Sequence, residues 1–220
     1  MFFSNGIAKL ESENLKAIYR KTFKANLQKT KLRGNLYALD YRIQKHLKKI
    51  LQEEIGFHKR HHKRPMNLLF FLPLPLEFDT RKLLGFFRRQ RGIRVCCPLM
   101  CGESFKAVKF RLPLHKKTFG VYESSNSCLH LKIDCAIVPV LGIDKSFRRV
   151  GFGKGMYDRF FASRENTHQS PKILFICRHF NYAKTIITQD YDIRGDLLIT
   201  PQQCHFPDSI AESHKPLLNL

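Results

Sequence analysis

Two short apolar runs bracket a helical segment early in the chain, and that arrangement leaves few folds open. Residues 67–72 are apolar and bounded by proline, which suits a buried strand. Residues 80–90 have helical spacing, with Asp79 or Thr80 able to cap them, and residues 93–97 form a second buried run. Strand, helix and strand within about 30 residues make a βαβ unit, whose strands must pair in parallel. The theme recurs. Residues 106–112 alternate like a half-exposed strand, residues 133–138, 173–177 and 197–200 read as buried strands, and residues 155–162 read as a helix. Two amphipathic helices come first. One spans 10–33, with Leu15, Ile18, Tyr19, Phe23 and Leu27 at helical spacing; the other spans 36–55 and is expected to stop at Gly56. The expected fold is α/β: a three-layer α/β/α arrangement with a mainly parallel central sheet, Rossmann-like. One domain is expected over residues 1–202, with a polar, loosely held tail over 203–220.

The 220 residues suffice for a core without disulfides or a structural metal. Charge sets this chain apart: 39 Lys+Arg against 18 Asp+Glu give +21. Such an excess favours anionic company, whether nucleic acid, phosphates, polycarboxylates or a membrane surface. No apolar stretch approaches the length of a membrane span, and the first residues lack a secretory pattern, so a cytoplasmic protein is expected. Cys96, Cys97, Cys135 and Cys177 sit in apolar runs and read as buried thiols. Cys96, Cys97 and Cys101 are close together, but no second pair with zinc-like spacing follows.

The chemistry concentrates in residues 134–161, DCAIVPVLGIDKSFRRVGFGKGMYDRFF. A buried strand runs out at Pro139, and after a loop R-R-V-G-F-G-K-G-M-Y-D opens a helix. Gly151, Gly153 and Gly155 alternate, and without a Cβ they let backbone N–H groups approach an anion closely. Arg149 and Lys154 add full charges. The pattern fits a phosphate cradle at the carboxyl end of a strand, where open α/β sheets bind ligands. It is neither a Walker A loop nor the dinucleotide fingerprint.

The string V-P-V-L-G-I-D followed by R-R-V-G-F-G-K-G-M-Y-D closely resembles the signature of the 5-formyltetrahydrofolate cyclo-ligase (methenyltetrahydrofolate synthetase) family. LPLPLEFDT at 72–80, the strand at 92–98, residues 119–123 and the region 173–200 are similar to further family segments in the same order. The resemblance implies a C–N ligase using ATP and Mg²⁺. ATP phosphorylates the formyl oxygen of 5-formyltetrahydrofolate, the anilino nitrogen attacks the activated carbon, and 5,10-methenyltetrahydrofolate, ADP and phosphate result. Phosphoryl transfer of this kind is mainly positioning and charge neutralisation. By resemblance, Arg149, Val150, Gly151, Phe152, Gly153, Lys154, Gly155, Met156 and Tyr157 form the ATP loop, and Phe152 to Met156 also touch the folate. Arg149, Lys154 and Glu77 are the implied catalytic residues, and Leu72 lies beside Glu77 in the pterin pocket. Asp158 and Asp192 match Mg²⁺ positions, and Arg20 and Lys24 match a helix pair that reaches the nucleotide.

From the residues alone, each has a plainer reading. Arg20 and Lys24 also fit a solvated helix face, Glu77 an idle strand-end carboxylate, Asp158 a dipole-favoured helix start, and Asp192 a turn. Three departures from the family pattern stand out. The helix pair runs Arg then Lys, Met156 replaces a tyrosine, and Ser124 replaces a proline. The basic run 58–64 reads as a connector. The competing function is a nucleic-acid-binding protein without catalysis, but no recognisable nucleic-acid module appears. The expected partner is therefore a small molecule, 5-formyltetrahydrofolate with or without a polyglutamate tail, bound by a monomer.

Overall fold

The computed structural model describes residues 2–117, 122–127, 131–162 and 170–208, with side chains from residue 13 on. In chain order the elements are α1 (Phe2–Leu32), α2 (Leu36–His61), β1 (Met66–Leu69), α3 (Arg81–Arg88), β2 (Ile93–Cys101) and β3 (Ser104–Lys109). Then come β4 (His115–Lys116), β5 (Tyr122–Glu123), β6 (Cys135–Pro139), β7 (Gly142–Asp144), β8 (Arg149–Val150) and α4 (Met156–Ala162). The chain closes with β9 (Lys172–Ile176), β10 (Tyr182–Ala183), β11 (Leu197–Ile199) and β12 (Cys204–His205).

Successive side chains on a strand face opposite layers, and the core divides on that period. Leu69, Ala136, Val138 and Phe175 pack on one side with Phe23 and Leu27 of α1 and Phe160 and Phe161 of α4. Leu68, Phe70, Ile137, Leu174 and Ile176 pack on the other, with Ile43, Leu47 and Leu51 of α2 and Leu83, Leu84 and Phe87 of α3. The three-layer α/β/α expectation is thereby met. The main sheet runs β12-β11-β9-β6-β1-β2-β3. Its inner strands pair in parallel, and only the edge strands β3 and β12 are antiparallel. Neighbours β1 and β6 therefore send their chains away in opposite senses, which makes a ligand crevice at their carboxyl ends.

Several boundaries differ from the sequence reading. Helix α2 passes through Gly56 and ends only at His61. Ile55 and His58 extend its buried stripe, His58 Nε2 pairs with the Arg64 carbonyl at 3.1 Å, and the basic residues of the last turn suit a helix C-terminus. Half of the basic connector is thus helix. Thr80 precedes α3 but does not cap it: its hydroxyl donates to the Phe71 carbonyl at 2.7 Å, while Asp79 Oδ1 accepts from the Arg81 N–H at 3.0 Å. The tail is not loose at its start, since β12 pairs with β11; residues 209–220 lie outside the described residues. Ser124, in place of proline, accepts from the Arg111 N–H at 2.7 Å; residues 119–121 of that family-like segment also lie outside the description. Cys96, Cys97, Cys135 and Cys177 are buried, and burial pushes Cys97 up to about 11. No described helix is long and apolar enough to cross a membrane.

Candidate active site

The loop after β6 is built on one carboxylate. Asp144 is fully buried and forms no ion pair among the described residues. Its Oδ1 accepts from the Ser146 N–H (3.0 Å) and hydroxyl (2.6 Å). Its Oδ2 accepts from the N–H groups of Ile187 and Thr188 (2.9 Å each) and from the Thr188 hydroxyl (2.6 Å). Those bonds hold the β7–β8 turn, including buried Phe147 at φ 59°, a conformation a bulky residue adopts only when its surroundings impose it.

The turn delivers Arg149 into the interior, 6% exposed. Its Nη2 donates to Asp158 Oδ2 at 3.0 Å, its Nη1 to the Pro139 carbonyl at 3.3 Å, and the guanidinium lies 5.1 Å from the Tyr157 ring centre. Arg149 Nε is a buried donor with no hydrogen-bond partner among the described residues. A Cβ on Gly151 would stand 2.6 Å from Arg149 Nη2, so the guanidinium can occupy its place only beside a glycine. Gly153, at φ 101°, needs glycine for its backbone alone.

These residues wall a cavity of about 330 Å³. Lys16 and Arg20 of α1, Arg149, Gly151, Gly153, Gly155, Asp158 and Asp192 line it, with Arg159 and Tyr191 at its edge. Each carboxylate is already paired. Asp192 accepts from Lys16 Nζ and from the Gln189 N–H at 2.8 Å, and Asp158 Oδ1 accepts from the Ile193 N–H at 3.2 Å. Arg20 Nε donates to the Gly151 carbonyl at 3.2 Å. The lining cations outnumber the carboxylates, so the cavity favours an anion.

Not every expected residue arrives there. Lys24 is exposed and does not line the cavity; Lys16 takes that place beside Arg20. The reason is helix geometry: residues 16, 20, 23 and 27 share one seam of α1, with Phe23 and Leu27 in the core, and Lys24 lies further round. The two cavity-lining residues of α1, Lys16 and Arg20, stand four apart in the order Lys then Arg. Val150 is in the core, and Met156 and Tyr157 pack against it. Phe152 and Lys154 are exposed on the glycine loop. Arg159 was missed by sequence reasoning; its Nε donates to the Glu103 carbonyl at 2.8 Å.

Glu77 and Leu72 stand on the β1–α3 loop. Glu77 Oε2 accepts from the Leu74 N–H at 2.8 Å. Burial pushes its carboxyl up to about 7, opposed by the Leu74 N–H and by the positive charges of Arg149 and Arg178. Leu72 lines a separate groove of about 520 Å³ with Leu84, Phe110, Leu112, Arg88 and Arg89.

Residues 19–201 match the model of the 5-formyltetrahydrofolate cyclo-ligase family. The chain belongs to this family. A 5-formyltetrahydrofolate cyclo-ligase of Mycoplasma pneumoniae is 35% identical over 72 residues, 32% of this chain and 41% of that protein. The one from Mycoplasma genitalium is 38% identical over 134 residues, 60% of this chain and 71% of the other. The chain thus aligns with less than half the length of the first relative and about seven-tenths of the second. Among solved structures, the NMR structure of Aquifex aeolicus 5,10-methenyltetrahydrofolate synthetase superposes with a TM-score of 0.65 at 21% identity, over 88% of this chain and 93% of that one. The Mycoplasma pneumoniae 5,10-methenyltetrahydrofolate synthetase gives 0.58 at 23% identity, over 84% and 97%. At those identities the superpositions speak for the cyclo-ligase fold.

Proposed function

We infer that this cyclo-ligase family member converts 5-formyltetrahydrofolate to 5,10-methenyltetrahydrofolate, with ATP cleaved to ADP and phosphate. The observation that carries the reading is the glycine-walled, cation-rich cavity at the sheet crossover, whose Arg149 also acts electrostatically on a half-buried glutamate of another loop. Phosphoryl transfer asks a protein for positioning and charge neutralisation, and this wall offers both.

Lys16, Arg20 and Arg149 take the nucleotide's phosphates, and the partnerless Nε of Arg149 is a donor in want of an oxygen. Lys154, exposed on the loop, adds a mobile point charge. Asp158 and Asp192 are hard oxygen donors on the same wall, the set Mg²⁺ takes when phosphates complete its shell. Bound there, the ion would neutralise the triphosphate and orient its terminal phosphoryl group. The formyl oxygen attacks that group, and ADP departs. The anilino nitrogen then attacks the activated carbon, its proton passes to Glu77, and phosphate leaves with the former formyl oxygen. A carboxyl near 7 is suited to accept that proton at neutral pH.

The test is to mix the protein with 5-formyltetrahydrofolate and Mg-ATP and follow methenyl-folate absorbance. ATP-dependent product supports the reading. Steeply salt-dependent RNA binding without turnover would replace it with the nucleic-acid alternative.

The groove beside Leu72 extends the reading to the substrate's tail. Its floor is apolar and its rim carries Arg88 and Arg89, which suits an aminobenzoyl group followed by γ-linked carboxylates. Arg89→Ala is expected to raise KM for a polyglutamylated substrate by about tenfold while leaving that for the monoglutamate nearly unchanged, the loss of one charge-assisted contact. Steady-state kinetics with both substrates check this; equal effects would remove the tail from this groove.

A further inference from the structure

We propose that Arg178, clamped by Asp40, is the positioning residue that holds the Glu77 turn in the site. The inference rests on the role given to Glu77 above.

Arg178 follows β9, and its side chain is 7% exposed. Its Nε donates to Asp40 Oδ1 and its Nη2 to Asp40 Oδ2, both at 2.7 Å, a two-pronged pair. Asp40 lies in the early part of α2, and the Asp79 N–H points to Asp40 Oδ2 at 3.4 Å. One ion pair therefore ties together α2, the segment after β9 and the loop carrying Glu77. Phe78 anchors that loop in the core, Thr80 donates to the Phe71 carbonyl at its base, and the Leu74 N–H donates to Glu77 at its tip. A buried ion pair contributes little net stability, because desolvation offsets the attraction. Its placement is better explained by what it orients.

The charged and titratable groups acting on Glu77 are few. Arg149 acts from β8 and Arg178 from beyond β9, both favouring the carboxylate, and the phenol of Tyr157 is its neighbour on α4. Asp40 opposes the Arg178 charge through its two-pronged pair. Removing Arg178 should therefore make Glu77 harder to ionise, and neutralising Asp40 should make it easier.

The experiment follows the Glu77 carboxyl carbon by ¹³C NMR through a pH titration of the full chain, with Glu77→Gln identifying the resonance. Asp40→Asn is expected to move the midpoint below about 7 and Arg178→Met above it, each by about one pH unit. A pair that acted on the Glu77 loop through packing alone would not give opposite signs. Shifts of the same sign, or none, would overturn the proposal. If Arg178→Met fails to fold, Asp40→Asn decides alone: an unmoved or rising midpoint overturns it. Full turnover by Glu77→Gln would instead overturn the proton-accepting role of Glu77, while the NMR midpoints still decide what Arg178 does.

Discussion

Arg149→Met is expected to lower kcat by about a thousandfold, the scale of removing a preorganised cation from a phosphoryl-transfer site. The side chain packs against Gly151 and bonds both the Asp158 carboxylate and the end of β6. Part of the loss has a separate cause, because Met leaves Asp158 buried without its cation, a cost of about 3–5 kcal/mol in stability. Arg149→Lys separates the two contributions. It keeps the charge, loses the fork, and should fall between wild type and Met in kcat. Turnover and thermal melting measured side by side check both; a Met variant within tenfold of wild type would place the chemistry elsewhere.

The second large effect lies outside the cavity. Asp144→Ala should destabilise the protein by at least about 3 kcal/mol, since several buried donors each lose an acceptor worth about 1–3 kcal/mol. For a chain of this size that corresponds to a melting temperature lower by roughly 6–12 °C. The damage should reach function. Asp144 ties the β7–β8 turn to residues 187 and 188, and Arg148 continues the tie by donating to the carbonyls of Asp190 (2.8 Å) and Asp192 (2.7 Å). Losing Asp144 frees both Arg149 and the Asp192 turn. A calorimetric scan checks the stability, and a shift under 2 °C would deny Asp144 this role.

The layered fold was legible because β1, β2, β6 and β9 are apolar runs of strand length with helices between them. The glycine loop was legible because its residue types serve a backbone purpose wherever the loop sits. What failed was register and environment. Lys16 and Lys24 are equally spaced from Arg20, and only the packing of Phe23 and Leu27 chooses between them. Gly56 lowers helix propensity, yet Ile55 and His58 gain enough from burial to carry α2 past it. Met156 occupies a signature position but packs on the core. Arg178 and Asp40 were invisible, because 138 residues separate them and no local pattern announces their meeting.

The pairing of Lys16 with Asp192 and of Arg149 with Asp158 also bears on how the protein can be handled. Where acidic side chains repel one another across an ion, stripping that ion with EDTA loosens the fold. Here each acid brings its own counter-charge, so dialysis against a chelator is expected to shift the melting temperature by less than about 2 °C. Cyclisation should stop in the stripped sample and return when magnesium is restored, and a drop of 10 °C or more would show that the acids depend on the ion to stay together.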